Sequence, residues 1–303
     1  MKAIRYRQHG GPDVLRYEDV DTPAPGPGQV LIRVAGTSYN PADSAIRAGW
    51  LPDVFPVELP HTPGVDVSGT VAELGPGVEG HRTGDRVIAF LPMTAPGAAA
   101  EFVLAPAGLL APAPTGIPLT DAAALPAVAL TAWQAIHEHA AVRPGQQVLI
   151  VGAGGGVGRY AVQFARLAGA TVLGTAGPAS VEAARSAGAD RVLDHTADKV
   201  DEPVDVVFTT ARLDDDGMAG LAALLRPGGV LVSVTSPVPA GARGLNMYVR
   251  SDAAQLAEIS RLVGTGQVSV QVTERHPVAE TAAVHRAAEE GRLHGKVVLY
   301  LNS

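Results

Sequence analysis

Up to about residue 118, apolar positions come in short alternating runs such as VLIRVAGTSY, VSGTVAEL, DRVIAF and AEFVLA, separated by Pro and Gly. A period of two with such breaks predicts antiparallel strands joined by turns. From Thr120 the pattern changes. TDAAALPAVALTAWQAIHEHA strings helix formers behind a Thr-Asp capping candidate, and RPG closes it. Beyond it, QQVLIVG, TVLGTA, RVLD, VDVVFTT and VLVSVTS read as apolar strands, while GRYAVQFARLAG, ASVEAARSAGA and GMAGLAALLRPGG read as helices between them. Strands that are apolar throughout and alternate with helices predict a parallel sheet covered on both faces. After a Pro/Gly-rich connector, SPVPAGARG, come two helix patterns, DAAQLAEISRLVGTG and AETAAVHRAAEEG, and a last strand, GKVVLYL. The expected fold class is α/β, with a mostly β region over residues 1–118 and a Rossmann-type doubly wound parallel sheet domain over 119–243.

The chain has 303 residues, twice the usual domain prior, which supports two domains. Hydrophobic residues make up 47% and charged residues 17%, the balance of a folded protein. There is no cysteine, so disulfides, thiolate nucleophiles and cysteine-containing zinc sites are excluded. The formal net charge is -7 and the basic residues are scattered, which argues against nucleic acid and anionic membranes as partners. The opening MKAIRYRQHGG has no apolar stretch behind it, so no secretory signal is expected. AAALPAVALTAWQAI is too short to span a bilayer and contains Pro126. The expected location is the cytoplasm.

The stretch VLIVGAGGGVG, a strand running through glycines into a helix, is the context in which a glycine-rich turn binds a dinucleotide. Free N–H groups at the helix start and missing side chains let a pyrophosphate approach the backbone. The literal fingerprint is absent; Ala153, Gly155 and Gly158 come nearest, with Gly152, Gly154 and Gly156 beside them. About 20 residues on, NAD-binding versions place an acid on the ribose 2'-hydroxyl. Thr175, Ala176 and Gly177 stand there instead, which favours NADPH.

Other chemistries fail by pattern. No tyrosine is followed four residues later by lysine, and GxSxG, Walker A and HExxH sequences are missing. His137 and His139 would lie roughly 200° apart on a helix, a poor pair for a metal.

SYNPADSAIRAG, HTPGVDVSGTVAELGPGV, GDRVIAF, AAALPAVALTAWQAI, VGAGGGVGRYAVQFARLAGA, LRPGGVLVSV and HGKVVL, in that order, resemble the medium-chain dehydrogenase/reductase superfamily. The specific likeness is to its zinc-independent quinone oxidoreductase branch, which includes zeta-crystallin. It implies that residues 1–118 are the first part of a mostly β GroES-like catalytic domain and that 244–303 return to it. Asn40 falls near a zinc-ligand cysteine of the alcohol dehydrogenases. Gly64-Val65-Asp66 replaces their GHE, so no metal is expected. His61, offset from those positions, reads as a surface or loop histidine.

The resemblance further implies NADPH as cofactor, a quinone or α,β-unsaturated carbonyl substrate, and a homodimer. Tyr39, Asn40 and Asp43 match the active-site segment and are the catalytic candidates. Asn40 also counts among the cofactor contacts, with Thr131, Gly154, Gly155, Gly156, Val157, Gly158, Thr175, His195 and Lys296. An enoyl-thioester or biosynthetic-intermediate reductase, and a non-catalytic NADPH-binding protein, are the alternatives on the same scaffold. Ala99 stands where relatives often carry a tyrosine, which leaves solvent or substrate to supply the proton.

Overall fold

A computed structural model describes residues 1–50 and 52–301. In chain order the elements begin with β1 (Lys2–Arg5), β2 (Arg16–Asp19), β3 (Gln29–Ser38), α1 (Pro41–Ala48), β4 (Asp66–Leu74), β5 (Arg86–Phe90), β6 (Phe102–Pro106) and β7 (Ala111–Pro112). Next come α2 (Pro126–Trp133), β8 (Gln147–Val151), α3 (Gly156–Leu167), β9 (Thr171–Ala176), α4 (Val181–Ser186), β10 (Arg191–Asp194) and β11 (Val204–Thr209). The chain continues with α5 (Asp215–Ala223), β12 (Leu225–Ser233), β13 (Gly244–Asn246), α6 (Ala253–Gly264), β14 (Glu274–Pro277), α7 (Thr281–Glu289) and β15 (Val297–Tyr300).

The chain divides into two compact units: Met1–Ala127 with Ser251–Ser303, and Val128–Arg250. The sequence pattern placed the divisions at 118/119 and 243/244.

The first unit holds a seven-stranded sheet of order β14-β15-β3-β4-β5-β7, with β6 also paired to β3. Its alternating runs bury one face: Val30, Ile32, Val34, Val67, Val71 and Val87 share one core. Each such side chain taken from water contributes about 1.5–3 kcal/mol. The C-terminal strand β15 pairs antiparallel with the end of β3, Val298 opposite Ser38 and Leu299 opposite Thr37. That register brings Lys296 beside the residues that follow Ser38. β14 pairs parallel with β15 but was not legible. Its sequence, ERHP, shows no apolar alternation.

The second unit is a six-stranded sheet of order β10-β9-β8-β11-β12-β13, parallel throughout. The order reverses at β8, and in such sheets ligands bind beyond the strand ends at that switch point. Three expectations need correction. The segment from Thr120 is not one capped helix: a short 3-10 turn at Asp121–Ala124 precedes α2, and Thr120 makes no side-chain cap. Pro126, lacking an N–H, starts a helix better than it continues one. The helix read over GMAGLAALLRPGG ends at Ala223, and LRPGG already belongs to β12, where Gly228 takes φ +83°. The last connector residue, Gly244, opens a short strand, β13, that runs to Asn246.

Candidate active site

At the end of β8, Gly152 has φ +85°, and a Cβ there would lie 2.4 Å from Thr210 Oγ1. The N–H groups of Gly152 and Ala153 donate to the Thr175 carbonyl at 3.1 and 2.9 Å, tying the turn to β9. Gly158 lets the first turn of α3 sit on that loop, since its Cβ would come 2.1 Å from Gly152 O. A Cβ on Gly154 would strike the Ser180 carbonyl at 2.4 Å. Gly155 differs. It is the N-cap of α3 in an extended conformation, and its Cβ would meet only Gly152 O, at 3.3 Å.

Helix geometry leaves the N–H groups of Gly156, Val157 and Gly158 without intrahelical acceptors. Gly155 has no side chain to cap them. The turn is therefore a cradle of backbone donors at the positive end of a 12-residue helix, suited to a dinucleotide pyrophosphate.

At the end of β9, Thr175 is buried. His195 is exposed; its N–H donates to Ala176 O at 3.1 Å, and its Nε2 lies 3.4 Å from where a Gly177 Cβ would be. Two carboxylates that the sequence reading passed over, Asp194 and Asp198, line a groove here with Glu182 and Arg185. Thr131 lies in α2, buried in the same unit.

In the first unit, Tyr39, Asn40, Asp43 and Lys296 come together around a residue the sequence reading named only as a departure, Asp66. Asn40 is the N-cap of α1, and the Asp43 side chain at N3 reaches back to it. Asp43 Oδ2 accepts the Asn40 N–H at 3.0 Å and Oδ1 accepts the Gly64 N–H at 3.0 Å. The Asn40 side chain faces the other way: Nδ2 donates to Asp66 Oδ2 at 2.8 Å and Oδ1 accepts from Lys296 Nζ at 2.7 Å.

Lys296, 3% exposed, also donates to Tyr39 O at 3.2 Å and pairs with Asp66 Oδ2 at 3.1 Å. Asp66, fully buried, takes further hydrogen bonds from Ser38 Oγ and from the Ala127 N–H at 2.6 Å. A buried ammonium and carboxylate are thus paired and saturated, the condition for holding both inside a fold. The one sequence signal for Asp66 was a charge heading the apolar run VSGTV.

The Tyr39 hydroxyl is directed away from this cluster, 3.1 Å from Ser44 Oγ. Ser44 Oγ in turn lies 3.2 Å from His285 Nδ1, which also accepts from Arg47 Nη1 at 3.2 Å. Arginine only donates, so His285 Nδ1 carries no proton and the ring is neutral. Burial, aided by the Arg47 charge, pushes this imidazole down to about 3. His61, expected at the surface, is buried instead and pairs through its backbone with Tyr6; burial pushes its ring to about 4. Asp43 moves oppositely: burial, opposed by the Gly64 N–H and reinforced by Asp66, raises its carboxyl to about 6.

These shifts predict a pH profile of stability. A histidine depressed in the folded state contributes stability that is lost as pH falls below the unfolded value of about 6.5, down to the folded one. A raised Asp43 contributes stability below the unfolded value, 3.8, that is lost as pH rises through about 6. Two histidines oppose one aspartate. The protein is expected to lose several kcal/mol between pH 6.5 and 4. Urea midpoints across that range check this, and His285→Gln should flatten the decline while Asp43→Asn should steepen it.

Residues 26–115 match the alcohol dehydrogenase GroES-like domain and residues 187–299 the zinc-binding dehydrogenase domain. The mouse quinone oxidoreductase is 32% identical, covering 99% of this chain and 98% of that one. The chloroplast envelope quinone oxidoreductase homolog of Arabidopsis thaliana is 38% identical over 64% of this chain, a match spanning 61% of its own length. The structure of the Escherichia coli quinone oxidoreductase complexed with NADPH superposes with a TM-score of 0.87 at 25% identity, over 99% of this chain and 100% of that one.

A zinc ion does not fit the cluster around Asn40. The Lys296 ammonium already pairs with the Asp66 carboxylate, and the chain has no thiolate to offer. Among the described residues, no group of three or more His, Asp or Glu is placed to hold a metal, and no helix is long and apolar enough to cross a membrane. A nicotinamide dinucleotide does fit the donors of the α3 turn.

Proposed function

The chain belongs to the quinone oxidoreductase family of medium-chain dehydrogenase/reductases, and we propose that it moves a hydride from NADPH to a quinone or α,β-unsaturated carbonyl compound without zinc. The observation that carries this reading is the open backbone cradle at Gly155–Gly158, in a chain whose cluster at Asn40 is filled by Lys296 and Asp66. When bound, the cofactor supplies the hydride at C4 of its nicotinamide; the N–H groups of Gly156, Val157 and Gly158 would hold its pyrophosphate. Asn40 and Asp43 fix the segment after β3, and the buried Lys296 ammonium holds positive charge on it. A carbonyl oxygen gains negative charge as the hydride arrives at the electrophilic carbon, and water supplies the proton. Oxidation of a plain alcohol, which leans on a Lewis acid to stabilise an alkoxide, is disfavoured on this donor set.

NADPH over NADH is supported by the absence of a carboxylate at Thr175-Ala176-Gly177 and by the bound NADPH of the Escherichia coli relative. Asp194 and Asp198, beside His195, temper that preference through repulsion of a 2'-phosphate. Fluorescence titrations are expected to give NADPH the tighter binding by less than about tenfold. Tighter NADH would overturn the cofactor assignment. Incubation with NADPH and a panel of benzoquinones and enones, followed at the nicotinamide absorbance band, tests the reaction; no loss with any acceptor would count against it.

A further inference from the structure

Tyr6 is a large, fully buried side chain at 1% exposure, held by backbone hydrogen bonds of 2.9 Å each way with His61. Its ring meets the His61 ring edge-on at 5.5 Å between centroids. Its hydroxyl is the one buried side-chain polar atom without a hydrogen-bond partner among the described residues. An orphaned buried hydroxyl costs on the order of 1–3 kcal/mol. Such a group calls for an explanation.

The surroundings supply one. Tyr6, Asp43, His61, Thr62, Gly64 and Met93 line a cavity of about 10 Å³. That is close to the volume that admits a single water, provided several polar groups surround it. Tyr6, Asp43, His61 and Thr62 are polar. Each Asp43 carboxylate oxygen accepts one backbone N–H, from Asn40 or Gly64, and has further acceptor capacity.

We propose that this cavity binds one ordered water, which accepts from the Tyr6 hydroxyl and donates to the Asp43 carboxylate, making Tyr6 a positioning residue for the Asn40–Asp43 segment. The water satisfies the phenol and adds a third hydrogen bond to the ionised carboxylate. Other groups acting on Asp43 are the Asp66 carboxylate and Lys296 ammonium, which oppose each other. Arg47, on the same helix as Asp43, and the rings of His9 and His61 also lie near Tyr6. A hydrogen bond to a charged form favours that form, so the water lowers the carboxyl against the upward push of burial. Its effect on turnover rests on the function proposed above; the water site itself does not.

Tyr6→Phe removes one oxygen and keeps the ring on His61. The Asp43 carboxyl titration, followed by carbon NMR of labelled protein without substrate, is expected to move up by about half a pH unit or more. The urea midpoint at pH 7.5 is expected to fall, because the water loses an anchor. An unchanged Asp43 titration, or a higher midpoint as expected when a truly orphaned hydroxyl is deleted, would overturn the proposal. A protein that turned over no acceptor but showed the shifted titration would contradict the proposed function and leave the water site standing.

Discussion

Gly155→Glu is expected to weaken cofactor binding at least about 100-fold, roughly 2.7 kcal/mol, while leaving the folded protein as stable as before or more so. The backbone at Gly155, with φ -77° and ψ 174°, suits any residue. A Cβ there needs only a few tenths of an ångström from Gly152 O. A carboxylate at the start of α3 interacts favourably with the helix N-terminus. It also occupies, with the wrong charge, the place where a pyrophosphate would lie.

The two effects therefore have opposite signs. Gly158→Ala provides the contrast. Its Cβ would stand 2.1 Å from Gly152 O and 2.8 Å from Ala153 Cα, both backbone atoms, so it is expected to lower stability first. Calorimetric titration of NADPH together with thermal melts separates the outcomes. Normal NADPH binding by Gly155→Glu would remove the turn from the cofactor site.

Asp66→Ala is expected to cost about 3–5 kcal/mol in unfolding free energy. The substitution strands the Lys296 ammonium at 3% exposure with only Tyr39 O and Asn40 Oδ1 as partners. It also removes Asp66 as acceptor for the Ala127 N–H, the Ser38 hydroxyl and the Asn40 amide. Lys296→Met alone leaves the opposite charge unpaired. The double change Asp66→Asn with Lys296→Met removes both charges and is expected to recover part of the loss, because the two sites share one network. Urea unfolding of the wild type, Asp66→Asn, Lys296→Met and the double variant at pH 7.5 gives the coupling. Additive single effects would show that the pair does not interact.

These two sites differ in how they could be read from sequence. The α3 turn needs residues adjacent in the chain, and its demands are local: no Cβ, free N–H groups, a strand before and a helix after. The capping pair Asn40 and Asp43 is local too, three residues apart, and its spacing marks the start of α1. The ion pair of Lys296 with Asp66 joins residues 230 apart. It exists because β15 pairs with β3 and β3 with β4 in a particular register, which no periodicity reveals. Tyr6 and His61 also meet across a bridge between distant parts of the chain, which is why His61 read as a loop residue. Polar edge strands such as β14 were illegible because register, and not apolar alternation, holds them.

The most direct test of hydride transfer is a single turnover with NADPH deuterated at C4 and an α,β-unsaturated ketone. The expected product is the saturated ketone carrying deuterium at the β carbon and a solvent proton at the α carbon. A saturated ketone without deuterium from either face of the labelled cofactor, or no product from any enone or quinone, would contradict the proposed reaction.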